Sequence, residues 1–305
     1  MKFVGFEAKA QGETHKEKDQ PCQDAVFHKV YRGVGVAITA DGHGGEKYFR
    51  SQYGAEMVVQ ITHEGMSDFW KLFIKDLKDK EKSGTKQRRT PYMEKQLDQL
   101  ERFIITRWRQ EVLKHFSENP LTDQEKSLCQ ELDLDMDDEK NQIRAYGTTL
   151  IAALLQRYVW FVIQIGDGKS VLLDMEGDPS FALNDVETYG KTHSLSDSNA
   201  KEHFRHAFGF NELKGMTVAT DGVADSFTPG AYLKFHCQLY TDFCSNPAVA
   251  EEGVKKGVAA WSLKGSRDDA SMAGVFRVPV PDTLGDKIKG IFSSVLESTS
   301  KPKLS

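Results

Sequence analysis

The chain has 305 residues, a formal net charge of −5, 39% hydrophobic residues and 28% charged residues. That composition supports one large domain with a buried core and excludes a globally disordered chain. The mild acidity lacks the footprint of a duplex-binding protein, so no nucleic-acid partner is expected. No run of about 18 apolar residues occurs. The opening MKFVGFEAKAQGETHKEKD holds no apolar leader segment. No membrane partner is expected, and the expected location is cytoplasmic. Cys22, Cys129, Cys237 and Cys244 form no CxxC pair. They read as reduced thiols, although His236 beside Cys237, with Cys244 near, has the makings of a metal clip.

In chain order, Phe3 to Lys9, Ala25 to Tyr31 and Val34 to Ala40 read as strands, the last two joined by a turn at Arg32-Gly33. A glycine-rich loop follows. From about Glu46 the spacing of Tyr48, Phe49, Tyr53, Met57 and Val58 is helical. The stretch from Gly65 to Arg144 changes character. Lys75 to Arg89 reads as a basic loop. Met93, Leu97, Leu100, Ile104, Trp108, Val112 and Phe116 predict a long amphipathic helix. Thr122 and Glu125 fit a capping box. The acidic run from Glu131 to Glu139 invites a calcium-loop reading. That reading fails, because Asp138 stands where glycine is needed and Arg144 where glutamate is needed.

Strand patterns resume with YGTTLIAALLQ and RYVWFVIQI, a hairpin turning near Gln156 and Arg157, followed by IGDGKSVLLD and GMTVATDGVADS. Val249 to Leu263 reads as a helix and DDASMAGVFRV as the last strand. Leu284 to Leu296 predicts a short amphipathic helix before a polar tail. Without regular β-α alternation, this is an α+β layered fold with antiparallel sheets. The expected organisation is a domain over 1–280, with a helical insertion at 65–144, and a C-terminal helix and tail over 281–305.

Aspartates recur where strands begin or end. Asp41 follows GVAITA, Asp167 follows FVIQIG and Asp221 follows MTVAT, while Asp24 and Asp268 stand just before strands. Carboxylates converging on one sheet edge repel each other unless cations neutralise them. Oxygen ligands without His or Cys partners suit Mg2+ or Mn2+. Taken singly, an Asp-Gly pair is also an ordinary turn.

The ordered set Asp41-Gly42-His43-Gly44-Gly45, Gly147-Thr148-Thr149-Leu150, Gly166-Asp167-Gly168, Asp221-Gly222-Val223-Ala224-Asp225 and Ser266-Arg267-Asp268-Asp269 resembles the metal-dependent Ser/Thr protein phosphatases of type 2C. The resemblance covers roughly 1–62 and 145–278. Pro21-Cys22-Gln23-Asp24-Ala25 looks like the variant of divergent, often bacterial, members. It implies a four-layer β-sandwich of two antiparallel sheets flanked by helices, with the site at one end. It also implies that Asp41 bridges two metal ions, that the Gly42 carbonyl binds one of them, and that Asp221 and Asp268 bind the other. Asp24 would act on the metals or their waters, and Asp167 and Asp225 would match a third, looser metal position. His43 would take the place of a general acid. The implied activity is hydrolysis of phosphoserine and phosphothreonine in proteins by a metal-activated water, without a phosphoenzyme intermediate. A phosphorylated protein substrate and a cognate Ser/Thr kinase follow as partners.

Three departures stand out. Gln23 replaces the family's usual glutamate, and Asp19 stands where many members carry a phosphate-gripping arginine. Lys16, Lys18 or His15 are the available substitutes. The family's flap is reduced or rebuilt over His193 to Glu212, after Thr192-His193-Ser194-Leu195-Ser196-Asp197. These departures leave room for a catalytically weak member that binds a phosphoprotein or partner; a phosphatase for small phosphorylated metabolites and a general metal-binding structural protein are the other rivals.

Overall fold

The computed structural model describes residues 1–82, 89–184, 192–228 and 230–280. Its ten strands form two five-stranded antiparallel sheets. They are β1 (Lys2–Ala10), β2 (Ala25–Tyr31), β3 (Val34–Ala40), β4 (Leu150–Gln156), β5 (Trp160–Ile165), β6 (Lys169–Leu173), β7 (Pro179–Phe181), β8 (Arg205–Gly209), β9 (Gly215–Ala219) and β10 (Ala270–Val278). One sheet runs β1-β10-β9-β6-β7 and the other β2-β3-β4-β5-β8. The helices are α1 (Glu13–Glu17), α2 (Ser51–Lys82), α3 (Arg89–Glu118), α4 (Asp123–Glu131), α5 (Glu139–Ala145), α6 (Ala200–His203), α7 (Asp221–Ala224), α8 (Ala231–Ser245) and α9 (Pro247–Lys264).

Alternation along the strands sorts the apolar residues into layers. Ala37, Ile151, Ala153 and Val162 face Met216, Val218, Ala273 and Val275 between the two sheets. The outward side chains of the second sheet, among them Ile38, Ala152, Leu154, Phe161 and Ile163, pack with Val58, Met66, Met93, Leu97 and Trp108 of α2 and α3. On the other side Phe6, Met272 and Phe276 pack with Leu239 and Phe243 of α8 and Val254 and Val258 of α9. Because β4 and β5 are covered on both faces, they read as unbroken apolar runs. This α/β/β/α sandwich is the expected fold.

Most expected elements are present. The β4–β5 turn closes where Gln156 N donates to Val159 O at 2.8 Å. The capping box forms: Thr122 Oγ1 accepts from Glu125 N at 3.2 Å, and Glu125 Oε2 from Thr122 N at 2.8 Å. Glu125 also pairs with the buried Arg50, which ties α4 to the start of α2. The acidic run ends as a charged turn whose Asp138 caps α5 by accepting from Lys140 N.

Two readings change. The basic stretch from Lys75 is helix through Lys82, because α2 continues without a break past Gly65. A run of Lys, Glu, Asp and Leu without Gly or Pro favours helix even when it is polar. The segment from His193 to Glu212, expected only as a rebuilt flap, contains α6 and the edge strand β8. The expected helix at 284–296 and the tail lie outside the described residues.

Candidate metal centre

The strand register brings the acidic motifs together. Ala25 pairs with Ala40, so Asp24 before β2 and Asp41 after β3 lie side by side. Ala219 pairs with both Met272 and Lys169. That pairing sets Asp221, which opens α7, near Asp268 before β10 and Asp167 before β6. The carboxylates therefore reach one end of the sandwich from both sheets. Carboxylate oxygens of Asp41, Asp167 and Asp221 lie within 4.8 Å of one another.

Threonines and glycines hold these residues. Asp41 N donates to Thr149 Oγ1 at 3.1 Å, and Asp41 O accepts from Thr148 Oγ1 at 2.9 Å and Thr149 N at 2.8 Å. Thr220 Oγ1 donates to Asp24 Oδ2 at 2.8 Å. Gly222 N donates to Asp221 Oδ1 at 2.8 Å. Thr192 Oγ1 donates to Asp167 Oδ2. Glycine is required at Gly42, where a Cβ would lie 2.7 Å from Gln23 O and 2.9 Å from the Ser51 carbonyl. At Gly222 a Cβ would lie 1.9 Å from Asp269 O.

The site is electrostatically strained. Burial raises the Asp41 carboxyl well above its usual range, and the neighbouring Asp24, Asp221, Asp268 and Asp167 charges add to the shift. Burial and Asp269 raise Asp24. Burial, Asp167 and Asp268 raise Asp221. Asp24 Oδ1 is buried and has no hydrogen-bond partner. An unpartnered buried oxygen among converging carboxylates is the arrangement that a hard divalent cation relieves. The residues present fit such ions.

The other expected site residues occupy the rim. Asp225 is exposed one turn beyond Asp221 and is not in the tight group. Asp268 is exposed and lies 3.7 Å from His15 Nε2. The His43 ring rests against the Tyr48 ring, with centroids 4.6 Å apart, and the His43 backbone N–H donates to Gly147 O at 3.1 Å. Burial lowers the His43 pKa, while Asp167 and Asp197 act in the opposite direction.

Two residues matter more than their sequence context suggests. Asp269 is buried and accepts from Gly12 N at 2.7 Å and from Gln23 N. It pins the loop that carries Asp24. It also pairs with His15 Nδ1 at 2.8 Å, and this contact raises the His15 pKa. At the position of the absent arginine, Asp19 is exposed with φ +53°. His15 thus stands between Asp268 and Asp269 at the edge of the cluster. The signal for Asp269 was the doubled acid in Ser266-Arg267-Asp268-Asp269.

The description "Protein phosphatase 2C" belongs to a family model that matches residues 11–261. No curated protein matches the chain. Among solved structures, the chain is similar to PppA, described as a key regulatory component of T6SS in Pseudomonas aeruginosa. Identity is 12%, coverage is 90% of this chain and 98% of that one, and the TM-score is 0.54. It is also similar to the catalytic domain of the serine/threonine protein phosphatase PstP in complex with two manganese ions, at 14% identity, 91% and 99% coverage and TM-score 0.53. The Mycobacterium tuberculosis serine/threonine phosphatase PstP/Ppp gives the same four values. At these identities the likeness is one of fold.

Proposed function

The chain belongs to the protein phosphatase 2C family, and from that premise we propose that it is a metal-dependent phosphatase acting on phosphoserine and phosphothreonine in proteins. The observation that carries this reading is the convergence of Asp41, Asp167 and Asp221 within 4.8 Å at one end of the sandwich. On this reading, Asp41 and the Gly42 carbonyl, with Asp24, Asp221 and Asp268, would hold two Mg2+ or Mn2+ ions. Asp167 and Asp225 would hold a third, looser one. When bound, such ions activate a water for attack and neutralise the phosphoryl oxygens, so no phosphoenzyme is formed.

The chain's own residues do the rest. Thr220 and Thr192 fix the Asp24 and Asp167 carboxylates, and Thr148, Thr149 and Asp269 fix the backbone that carries Asp41 and Asp24, so little reorganisation is needed as charge develops. His15, whose pKa the contact with Asp269 raises, offers the phosphate dianion a partner at the rim in place of the missing arginine. His43 delivers a proton to the departing serine or threonine oxygen, a role typically worth about 10²–10⁴-fold. Residues 1–280 act as one phosphatase unit with the insertion at 65–144 inside it. A cognate kinase and a cytoplasmic setting complete the reading.

The test is hydrolysis of a phosphothreonine peptide and of free phosphoserine, with Mn2+, Mg2+ or chelator, by the parent chain, Asp41→Asn and Asp221→Asn. Turnover of the peptide that requires metal and is lost in both variants supports the proposal. Faster turnover of free phosphoserine favours the metabolite phosphatase. Folded, metal-loaded chain without turnover favours the binding role, to which Gln23 and Asp19 at the two altered positions also point.

A further inference from the structure

The segment from Thr192 to His203 carries chemistry that the carboxylate cluster leaves unused. His193 and His203 stand face to face, with ring centroids 3.4 Å apart and planes 8° apart. Asp197 Oδ2 lies 2.9 Å from His193 Nδ1. One ligand atom from each of the three residues lies within 4.8 Å of the others. The side chains of His193 and Asp197 keep 27% and 23% of their exposure, so an ion can reach them from solvent.

The backbone beneath them is anchored. An Arg109 guanidinium N–H of α3 donates to Asp197 O at 2.6 Å. Leu195 N donates to Thr148 O at 3.0 Å, and Leu195 is fully buried. Ala200 N donates to Asp197 O at 3.1 Å. The three ligand groups therefore project from a fixed frame.

We propose that His193, Asp197 and His203 form a second metal site, for Zn2+ or a similar transition ion, separate from the carboxylate centre. Two imidazoles and one carboxylate match the three-ligand, one-open-position pattern of tetrahedral zinc. The donor set disfavours Mg2+, which prefers oxygen ligands throughout. In-plane lone pairs of parallel rings do not meet at one ion, so loading splays the stacked rings. Thr192 directly precedes His193 and donates to Asp167 Oδ2.

The test measures bound zinc on the full chain in large excess Mg2+, which occupies hard sites. Co2+ replaces Zn2+ in a parallel run, with visible absorption reporting tetrahedral geometry. Parent and Asp41→Asn are expected to retain one Zn2+ per chain. His193→Ala, His203→Ala and His203→Gln are expected to bind more than about tenfold more weakly. Melting without zinc confirms that each variant is folded. Zinc retained equally by folded His203→Gln, zinc lost on Asp41→Asn, or no zinc on the parent would each overturn the proposal. None of these readouts depends on phosphatase activity, so this proposal and the phosphatase reading fail separately.

Discussion

His43 illustrates how environment sets a residue's task. Burial favours the neutral imidazole, while the Asp167 and Asp197 charges favour the protonated one. Burial prevails and lowers the pKa, and a proton donor matters only where the leaving oxygen needs a proton. A serine alkoxide is a poor leaving group and needs it, whereas a nitrophenolate does not. His43→Gln is therefore expected to slow hydrolysis of a phosphoserine peptide by about 10²-fold or more, with a far smaller loss on p-nitrophenyl phosphate. Equal losses on both substrates would show that His43 serves the site through packing on Tyr48 instead. The comparison needs only initial rates at one pH with saturating Mn2+.

At the scale of elements, α3 is joined to α6 and β8 by buried charge. Glu101 is fully buried and contacts His206 Nδ1 at 2.7 Å and Lys201 Nζ at 2.8 Å. Glu94 contacts His206 Nε2 at 2.6 Å. The hydrogen bond to Glu101 is the main cause that raises the His206 pKa to about 9. A raised histidine contributes stability fully below its unfolded value of 6.5, and that contribution is lost as pH rises through about 9. Urea midpoints of the parent are expected to fall between these limits, and His206→Gln to flatten that part of the profile. Glu101→Ala removes one partner from each cation but leaves His206 with Glu94 and Lys201 with Asp98, and is expected to cost about 2 kcal/mol. A cost near zero would mean that α3 is held by its apolar face alone.

The sequence carried some of these elements plainly and others hardly at all. β4, β5 and α3 bury long apolar runs or a full stripe, so periodicity alone marks them. β8 is an edge strand with every residue half-buried, which leaves no alternation to read. α8 turns Tyr232, His236, Leu239 and Phe243 inward, but its polar positions and cysteines hid the stripe. The carboxylates were legible because each sits beside a strand end. The His193–Asp197–His203 group was not, since its members meet only when α6 folds back after the loop.

On the scale of the whole molecule, the carboxylate centre is where the two sheets oppose each other electrostatically. Asp24 and Asp41 arrive from one sheet, Asp221 and Asp268 from the other. Asp41, Asp24 and Asp221 are each raised chiefly by burial. For a raised carboxyl, the stability contribution is complete below its ordinary value near 3.8 and is lost as pH rises through the elevated one. The metal-free chain should therefore melt lower as pH rises from weakly acidic to alkaline. Mn2+ should restore stability in proportion to the logarithm of its concentration. Removing one charge relieves the same repulsion permanently. Asp41→Asn is thus expected to be more stable than the parent by about 0.5–2 kcal/mol without metal, and to gain less from Mn2+. Calorimetry of both chains with and without chelator checks this. Were the metal-free variant less stable than the metal-free parent, charge repulsion at Asp41 would not be what limits the metal-free chain, and the sheets would need no cation to stay closed.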